Sequence, residues 1–428
     1  MTPGRGEHTF GEVFGPRNPS MRILYLHPKS WVGEYDLIQY LVAKGESVFV
    51  LEEDRNRKSP AFRSADFFLR PGDGVPTLWY NPKKGTAKVF TAVFDRIFKE
   101  NFNGRNLVHR IWTVGKAIRK FEPGTVVCSD GFSYGIPAAF LKRLTGFRAR
   151  LVIGYIGGDI MDLPAADYGK RRTPMTDWLI RQSLKADAYF RPVSPLLERI
   201  LLRDGAPRER IRMVPTHLRM AREDIELIRS RKAEAQEKIR RKYRFDPRCP
   251  LVVTLSGNTR NKGIQFMARA WPRIQEKLPA CRWLICGPVT DFLREDVCAP
   301  LAGEGVEGGV SLTGALGKEE VFEHLAAADL NVNPTLGEGL NMVVVEAAAV
   351  GTPSITSREA GVADWVEKYR GGMAVPAGDP EAIADAVLRF FRQDPGERES
   401  MGDRCRKLAE EFLLERIADD LLHFFRDR

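Results

Sequence analysis

Two glutamates, Glu338 and Glu346, stand eight residues apart in the stretch Asn333 to Ser357, NPTLGEGLNMVVVEAAAVGTPSITS. Carboxylates in such a stretch could accept hydrogen bonds from ligand hydroxyls. Glu338 lies between Gly337 and Gly339, which let the backbone bend tightly and approach a ligand closely. The segment from Leu340 to Val350 predicts a helix that is apolar on every side, and such helices are normally buried. A buried glutamate needs a partner. For Glu346 that partner is either a ligand hydroxyl or an arginine from elsewhere in the chain. Gly351 fits a helix C-cap, and Pro353 cannot continue the helix.

A second reactive cluster lies upstream, in the loop Ser256 to Gly263 with Arg260 and Lys262. A turn between strand and helix offers free N–H groups and the positive end of a helix dipole, and two cations would strengthen its hold on phosphate. The alternative is a solvated basic loop. Its spacing matches neither a P-loop nor a GxGxxG fingerprint. In the first half of the chain, His27 and Gly33 lie in a loop after a predicted strand, and Asp159 follows Gly157-Gly158 after another. Asp159 either accepts a sugar hydroxyl or caps its own loop. His27 is either catalytic or structural.

These residues need scaffolding. Strands are predicted at Arg22–Leu26, Ser47–Leu51, Thr125–Cys128, Arg150–Tyr155 and Ala188–Pro192, with helical spacing between them. The same alternation restarts at Leu251–Leu255 and continues through Trp283–Cys286, Val310–Thr313 and Asp329–Asn333. Strand-helix alternation builds parallel sheets, and ligands bind at the carboxyl ends of their strands. The expected fold is α/β, with two Rossmann-like, doubly wound parallel-sheet domains facing across a cleft. Its expected parts are a flexible leader over 1–20, an N-terminal domain over 21–216, a C-terminal domain over 217–405, and a C-terminal helix over 406–428 that could pack back on the N-domain.

The composition sets limits. The chain has 428 residues, 43% apolar and 29% charged, as in a globular protein. Six scattered cysteines form no CxxC pair, which argues against a zinc site or a disulfide framework and fits a reducing compartment. No apolar run has the length of a membrane span, and the N-terminus lacks a signal-peptide core. The net charge of +10 is uneven: residues 83–120 hold ten Lys/Arg against Asp95 and Glu100 alone. Within that region, 87–102 and 105–121 predict amphipathic helices. They suit peripheral contact with an anionic membrane, or an ordinary solvated basic face. No motif for nucleic acid accompanies the charge.

The run EGLNMVVVE, Glu338 to Glu346, followed by AAAVGTP, resembles the E-x7-E signature of retaining glycosyltransferases of family 4, which have the GT-B fold. The loop GNTRNKG (Gly257 to Gly263), the strand ADLNVNP (Ala328 to Pro334) and DAYFRPVS (Asp187 to Ser194) add to it. The resemblance implies transfer of a sugar from a nucleotide-diphosphate-sugar to a glycan or lipid-linked acceptor, with retention and without metal or cofactor. It implies that Glu338 and Lys262 are catalytic, the lysine neutralising the departing diphosphate. Glu346 would bind ribose hydroxyls, Arg260 would assist Lys262, and backbone N–H groups of Gly339, Leu340 and Asn341 would hold the donor. Ala315 and Leu316 would lie near the base, with Gly33 and Asp159 on the acceptor side. The chain departs from the family pattern with Asn258 in place of arginine, Ile156 in place of histidine, and Thr216-His217 in place of Asn-Gly. The expected setting is the cytoplasm, peripheral at the inner face of the membrane, in polysaccharide or glycolipid biosynthesis. The rival expectations are a nucleotide-sugar epimerase or hydrolase on the same fold, and a non-catalytic GT-B scaffold.

Overall fold

Alternating side chains on short apolar strands give each sheet two buried faces, and both faces are covered. In a computed structural model, residues 20–26, 33–53, 75–80, 107–305 and 307–426 are described. The N-terminal sheet comprises β1 (Arg22–Leu26), β2 (Ser47–Glu53), β3 (Thr77–Tyr80), β4 (Thr125–Cys128), β5 (Arg150–Tyr155) and β6 (Tyr189–Pro192). Its spatial order is β3-β2-β1-β4-β5-β6, and every pairing is parallel. The C-terminal sheet repeats the plan with β7 (Leu251–Leu255), β8 (Arg282–Cys286), β9 (Val310–Gly314), β10 (Leu330–Asn333), β11 (Ser354–Ser357) and β12 (Gly372–Val375), ordered β9-β8-β7-β10-β11-β12. All of its pairings are parallel too. The order reverses between β1 and β4 in one sheet and between β7 and β10 in the other. Crevices open at the carboxyl ends of the strands at such reversals.

Period-two patterning divides the core. Ile23 and Tyr25 of β1 pack with Leu37, Ile38 and Leu41 of helix Glu34–Ala43, whereas Leu24 and Leu26 face the opposite layer with Val114, Ala117 and Ala138. In the C-terminal sheet, Val252 and Trp283 pack with helices Ile264–Lys277 and Pro380–Arg392. Leu251 and Val253 belong to the layer that holds Val344 and Val345.

The charged stretch Arg222 to Lys242 forms two helices, Arg222–Ser230 and Lys232–Lys242, broken at Arg231. Three helices close the chain: Pro380–Arg392, Pro395–Ala409 and Leu414–Arg426. Helix Pro395–Ala409 runs unbroken through the boundary read after Cys405, because Cys405 and Leu408 bury themselves in the core that includes Val350 and Val366. The chain then turns at Glu410–Phe412. Ile417, Leu421 and Phe425 of the last helix join the N-terminal core beside Ile23 and Val48. Sequence reading missed β3, β12 and the helix Ala363–Tyr369, all too short for periodicity to register. The leader to residue 19, His27, and 83–106 of the basic region lie outside the described residues.

Candidate active site

The loop that follows β7 and the loop that follows β10 flank the reversal in the C-terminal sheet, and backbone contacts lace them together. Gly263 has φ +72°, and a Cβ there would collide with the Pro334 carbonyl. Leu336 N donates to Asn261 O at 2.8 Å, and Thr335 Oγ1 donates to the same carbonyl at 2.7 Å. This lacing brings Lys262 Nζ to 2.5 Å from Glu338 Oε1. Both side chains remain about one fifth exposed, at 21% and 19%. Glu338 Oε2 is buried and accepts from nothing among the described residues. A cation and a carboxylate held this closely, with one carboxylate oxygen unoccupied, form a polarised pair at the mouth of the crevice.

The backbone around Glu338 is fixed from the other side by Glu359–Val362. Gly361 N donates to Glu338 O at 3.0 Å, and Val362 N donates to Leu340 O at 2.8 Å. Asn341 adopts φ +76°, a conformation asparagine tolerates better than most residues. Its amide donates to Asn333 Oδ1 at 3.1 Å and Thr356 Oγ1 at 3.3 Å. Among the described residues, the backbone N–H groups of Gly339, Leu340 and Asn341 donate to nothing. They precede helix Met342–Ala349, so they form a ready anion or hydroxyl cradle.

That helix corrects one expectation. Although its sequence is apolar all round, Met342, Val343 and Glu346 are only partly buried, because one face opens on the cleft between the domains. Gly351, at φ +73°, closes the helix by donating to Ala348 O at 3.0 Å. Glu346 has no hydrogen-bond or ion-pair partner among the described residues. Its surroundings crowd out water and raise its carboxyl to about 7, while Arg219, Lys262 and Lys318 pull it down and Glu338 pushes it up. Ala315 and Leu316 lie in the turn between β9 and the helix that starts at Lys318.

Not every expected residue joins this group. Arg260 turns to Asp296 at 2.9 Å and stacks over Phe292 at 5.2 Å. Asn258 is buried at φ +50°, with its amide donating to Pro288 O at 2.8 Å, and shapes the loop. Asp159 takes the capping alternative. Its oxygens accept from Gly131 N at 2.8 Å, Gly157 N at 2.8 Å and Ile156 N at 3.2 Å. Burial raises its carboxyl to about 6 against the pull of those N–H groups. Gly33 is buried at the start of helix Glu34–Ala43, whose Asp36 approaches His217 and Arg219 at 3.6 and 3.7 Å.

The domains meet at this site. Gly339 lies against Ile156-Gly157, and Gly361 lies against Ser194. Arg199 pairs with Asp364 through two bonds of 3.0 and 3.2 Å, and Thr216 Oγ1 lies 3.2 Å from Met342 Sδ. Sequence reading missed Tyr168, whose hydroxyl sits beside Gly157 and Gly158 and whose ionisation is opposed by burial and by Glu338. It also missed Arg219. Neither lies in a motif, and only folding brings them in. Among the described residues, no cluster of three or more His, Cys, Asp or Glu is arranged to hold a metal ion.

Residues 34–217 match the glycosyl transferase 4-like domain, and residues 250–393 match the glycosyl transferases of group 1. The chain belongs to the group 1 glycosyltransferases. The matched segments carry the cradle, the Lys262–Glu338 pair and Glu346. This group 1 chain is 32% identical over 167 residues to a GDP-mannose-dependent alpha-(1-6)-phosphatidylinositol monomannoside mannosyltransferase of Mycobacterium tuberculosis, across 37% of this chain and 42% of that protein. It is 25% identical over 285 residues to the putative colanic acid biosynthesis glycosyltransferase WcaL of Escherichia coli, across 64% of each. The chain thus spans about half the length of the curated relatives it matches. Among solved structures, a glycosyltransferase of Rickettsia africae superposes with a TM-score of 0.71 at 14% identity, covering 96% of this chain and 98% of that one. Anabaena HepE in complex with UDP-glucose gives 0.68 at 15% identity, covering 94% and 99%. At such identities these likenesses show the fold, and the fold is GT-B.

Proposed function

We propose that this protein is a retaining glycosyltransferase that moves a sugar from a nucleotide-diphosphate-sugar to a glycan or lipid-linked acceptor. The observation that carries this reading is the Lys262–Glu338 pair beside the free N–H groups of Gly339, Leu340 and Asn341. As the sugar–phosphate bond breaks, negative charge builds on the diphosphate oxygen. Lys262 and the helix N-terminus stabilise that charge as it develops, and such preorganised donors lower a barrier most where water is excluded. The unoccupied oxygen of Glu338 accepts a hydroxyl of the donor sugar and fixes the anomeric carbon toward the acceptor. Glu346, on the cleft face of its helix, accepts the ribose hydroxyls. Contact between Gly339 and Gly157 closes the cleft over the reacting atoms, which suppresses hydrolysis of the donor.

An amphiphilic acceptor has its own support. On helix Leu107–Phe121, Val108 and Trp112 are 44% and 56% exposed, with Lys116 over the Trp112 ring at 5.5 Å and Lys120 a further turn along. Trp178 and Leu144 are also exposed on helices of the same layer. Indole and lysine together suit the headgroup region of an anionic membrane. The mycobacterial relative is named for a phosphatidylinositol mannoside acceptor. No helix among the described residues is long and apolar enough to cross a membrane.

A thermal-shift panel of UDP, GDP, ADP and their sugar conjugates tests the donor site. A ligand at ~100 times its Kd stabilises by about 2.7 kcal/mol. An unmoved melting curve across the whole panel defeats the proposal.

A further inference from the structure

A short hairpin of the N-terminal domain leans on the loop that bears Glu338. Its strands, Asp162–Leu163 and Tyr168–Gly169, are antiparallel, with Leu163 opposite Tyr168. Directly opposed residues on such a ladder share one face. Here that face meets the glycines on either side of Glu338. Leu163 Cδ1 stands 2.5 Å from the point where a Cβ on Gly337 would lie. Tyr168 Oη stands 3.2 Å from the Cβ position of Gly157, and that same position is 2.8 Å from Gly339 N. The phenol oxygen is therefore parted from the first N–H of the donor cradle by no more than those two distances together. One ligand oxygen spans such a gap with hydrogen bonds of about 2.9 Å to each side. The hairpin is braced: Asp167 N donates to Pro164 O at 3.1 Å, Arg172 Nη1 pairs with Asp167 at 2.7 Å, and Arg172 Nε donates to Gly169 O at 2.8 Å. Tyr168 is half-buried, and its hydroxyl proton is donated to no group among the described residues. Burial and the Glu338 carboxylate oppose its ionisation, so the phenol keeps a proton to donate. Glu338, the residue between the two glycine contacts, offers the unoccupied Oε2.

We propose that Tyr168 is a specificity-determining residue, whose hydroxyl donates a hydrogen bond to one hydroxyl of the transferred sugar from the side of the N-terminal domain. This rests on the donor-site reading above, in which the unoccupied oxygen of Glu338 accepts from the same sugar. A hydroxyl both donates and accepts, so a carboxylate and a phenol proton together fix how the sugar sits. The two domains then divide the work. The C-terminal loops hold the diphosphate, and the hairpin checks the sugar once Gly157 has met Gly339. A site built to bond a hydroxyl rejects an analogue that lacks it, because its own polar groups are left unpaired. Ile156, just before Gly157, brings no polar side chain to this task.

The test is calorimetric titration of the purified full chain with the nucleotide-sugar that gives the largest thermal shift and with its nucleoside diphosphate. Analogues of that nucleotide-sugar lacking one sugar hydroxyl at a time complete the set. Tyr168→Phe, which removes a single oxygen, should weaken the nucleotide-sugar about five- to tenfold and leave the diphosphate within twofold. One of the deoxy analogues should bind wild type and variant within twofold of each other. Retained diphosphate binding shows that the variant is folded at the site. Unchanged nucleotide-sugar affinity in Tyr168→Phe overturns the inference while leaving the donor site standing. Equal losses of nucleotide-sugar and diphosphate also overturn it, since they mark a structural role. So does a variant that discriminates among the deoxy analogues as wild type does. If wild type binds no nucleotide-sugar, the donor-site reading falls and this inference falls with it.

Discussion

Gly157 of the N-terminal domain and Gly339 of the C-terminal domain touch backbone to backbone. A Cβ on Gly157 would stand 2.8 Å from Gly339 Cα, and one on Gly339 would stand 2.7 Å from Gly157 Cα. No real side chain tolerates either distance. The loop after β5 and the loop that bears Glu338 therefore form a single wall only when the domains are closed.

Gly339→Ala should hold that wall open. The added methyl meets the Ile156 carbonyl, which is backbone and cannot rotate away. The expected outcome is a fall in kcat/KM of about 100-fold, the scale of a small misplacement of reacting groups. Nucleotide affinity, which the C-terminal loops supply, should change far less. Steady-state kinetics and titration on one preparation separate the two.

Lys262→Gln removes the cation at the leaving group. Loss of one preorganised donor costs on the order of 100- to 1,000-fold in kcat. Glu338→Gln should lower turnover more than binding, because its free oxygen meets the donor sugar and not the nucleotide. A larger effect on nucleotide Kd than on kcat would reverse the roles given to Glu338 and Glu346.

Glu346→Gln should weaken nucleotide binding and also change the pH dependence of stability. The folded protein holds the Glu346 carboxyl proton up to about 7, whereas an ordinary glutamate loses it near 4.5. Between those values the folded state binds a proton that the unfolded state has lost, so stability falls as pH rises through the window. A glutamine has no such dependence. At pH 8 without ligand, Glu346→Gln should therefore melt higher than wild type relative to pH 4.5, by an amount worth about 1–3 kcal/mol. Melting curves at the two pH values decide it.

Trp112→Ser combined with Lys116→Ser should reduce flotation with vesicles containing anionic lipid, and should leave melting temperature nearly unchanged because both residues are exposed. Each basic residue near such a surface contributes about 1 kcal/mol. Equal flotation of wild type and variant, or no flotation by either, removes the membrane proposal.

Sequence alone determined the alternation that builds two parallel sheets, since buried strands and the helices between them announce themselves by periodicity. It also marked the Glu338–Glu346 stretch and the Lys262 loop, because glycines and charges packed against apolar runs have few other uses. It could not tell that Arg260 swings to Asp296, or that Asp159 spends its oxygens on the backbone N–H groups of Ile156, Gly157 and Gly131. Those choices depend on which backbone N–H or carboxylate lies nearest in space. Helix Met342–Ala349 reads as fully buried because periodicity cannot see the cleft that exposes Met342, Val343 and Glu346. Arg219 and Tyr168 carry no local signature. They reach the site only because the linker and a short hairpin fold against it, and contacts between residues distant in the chain are fixed by packing.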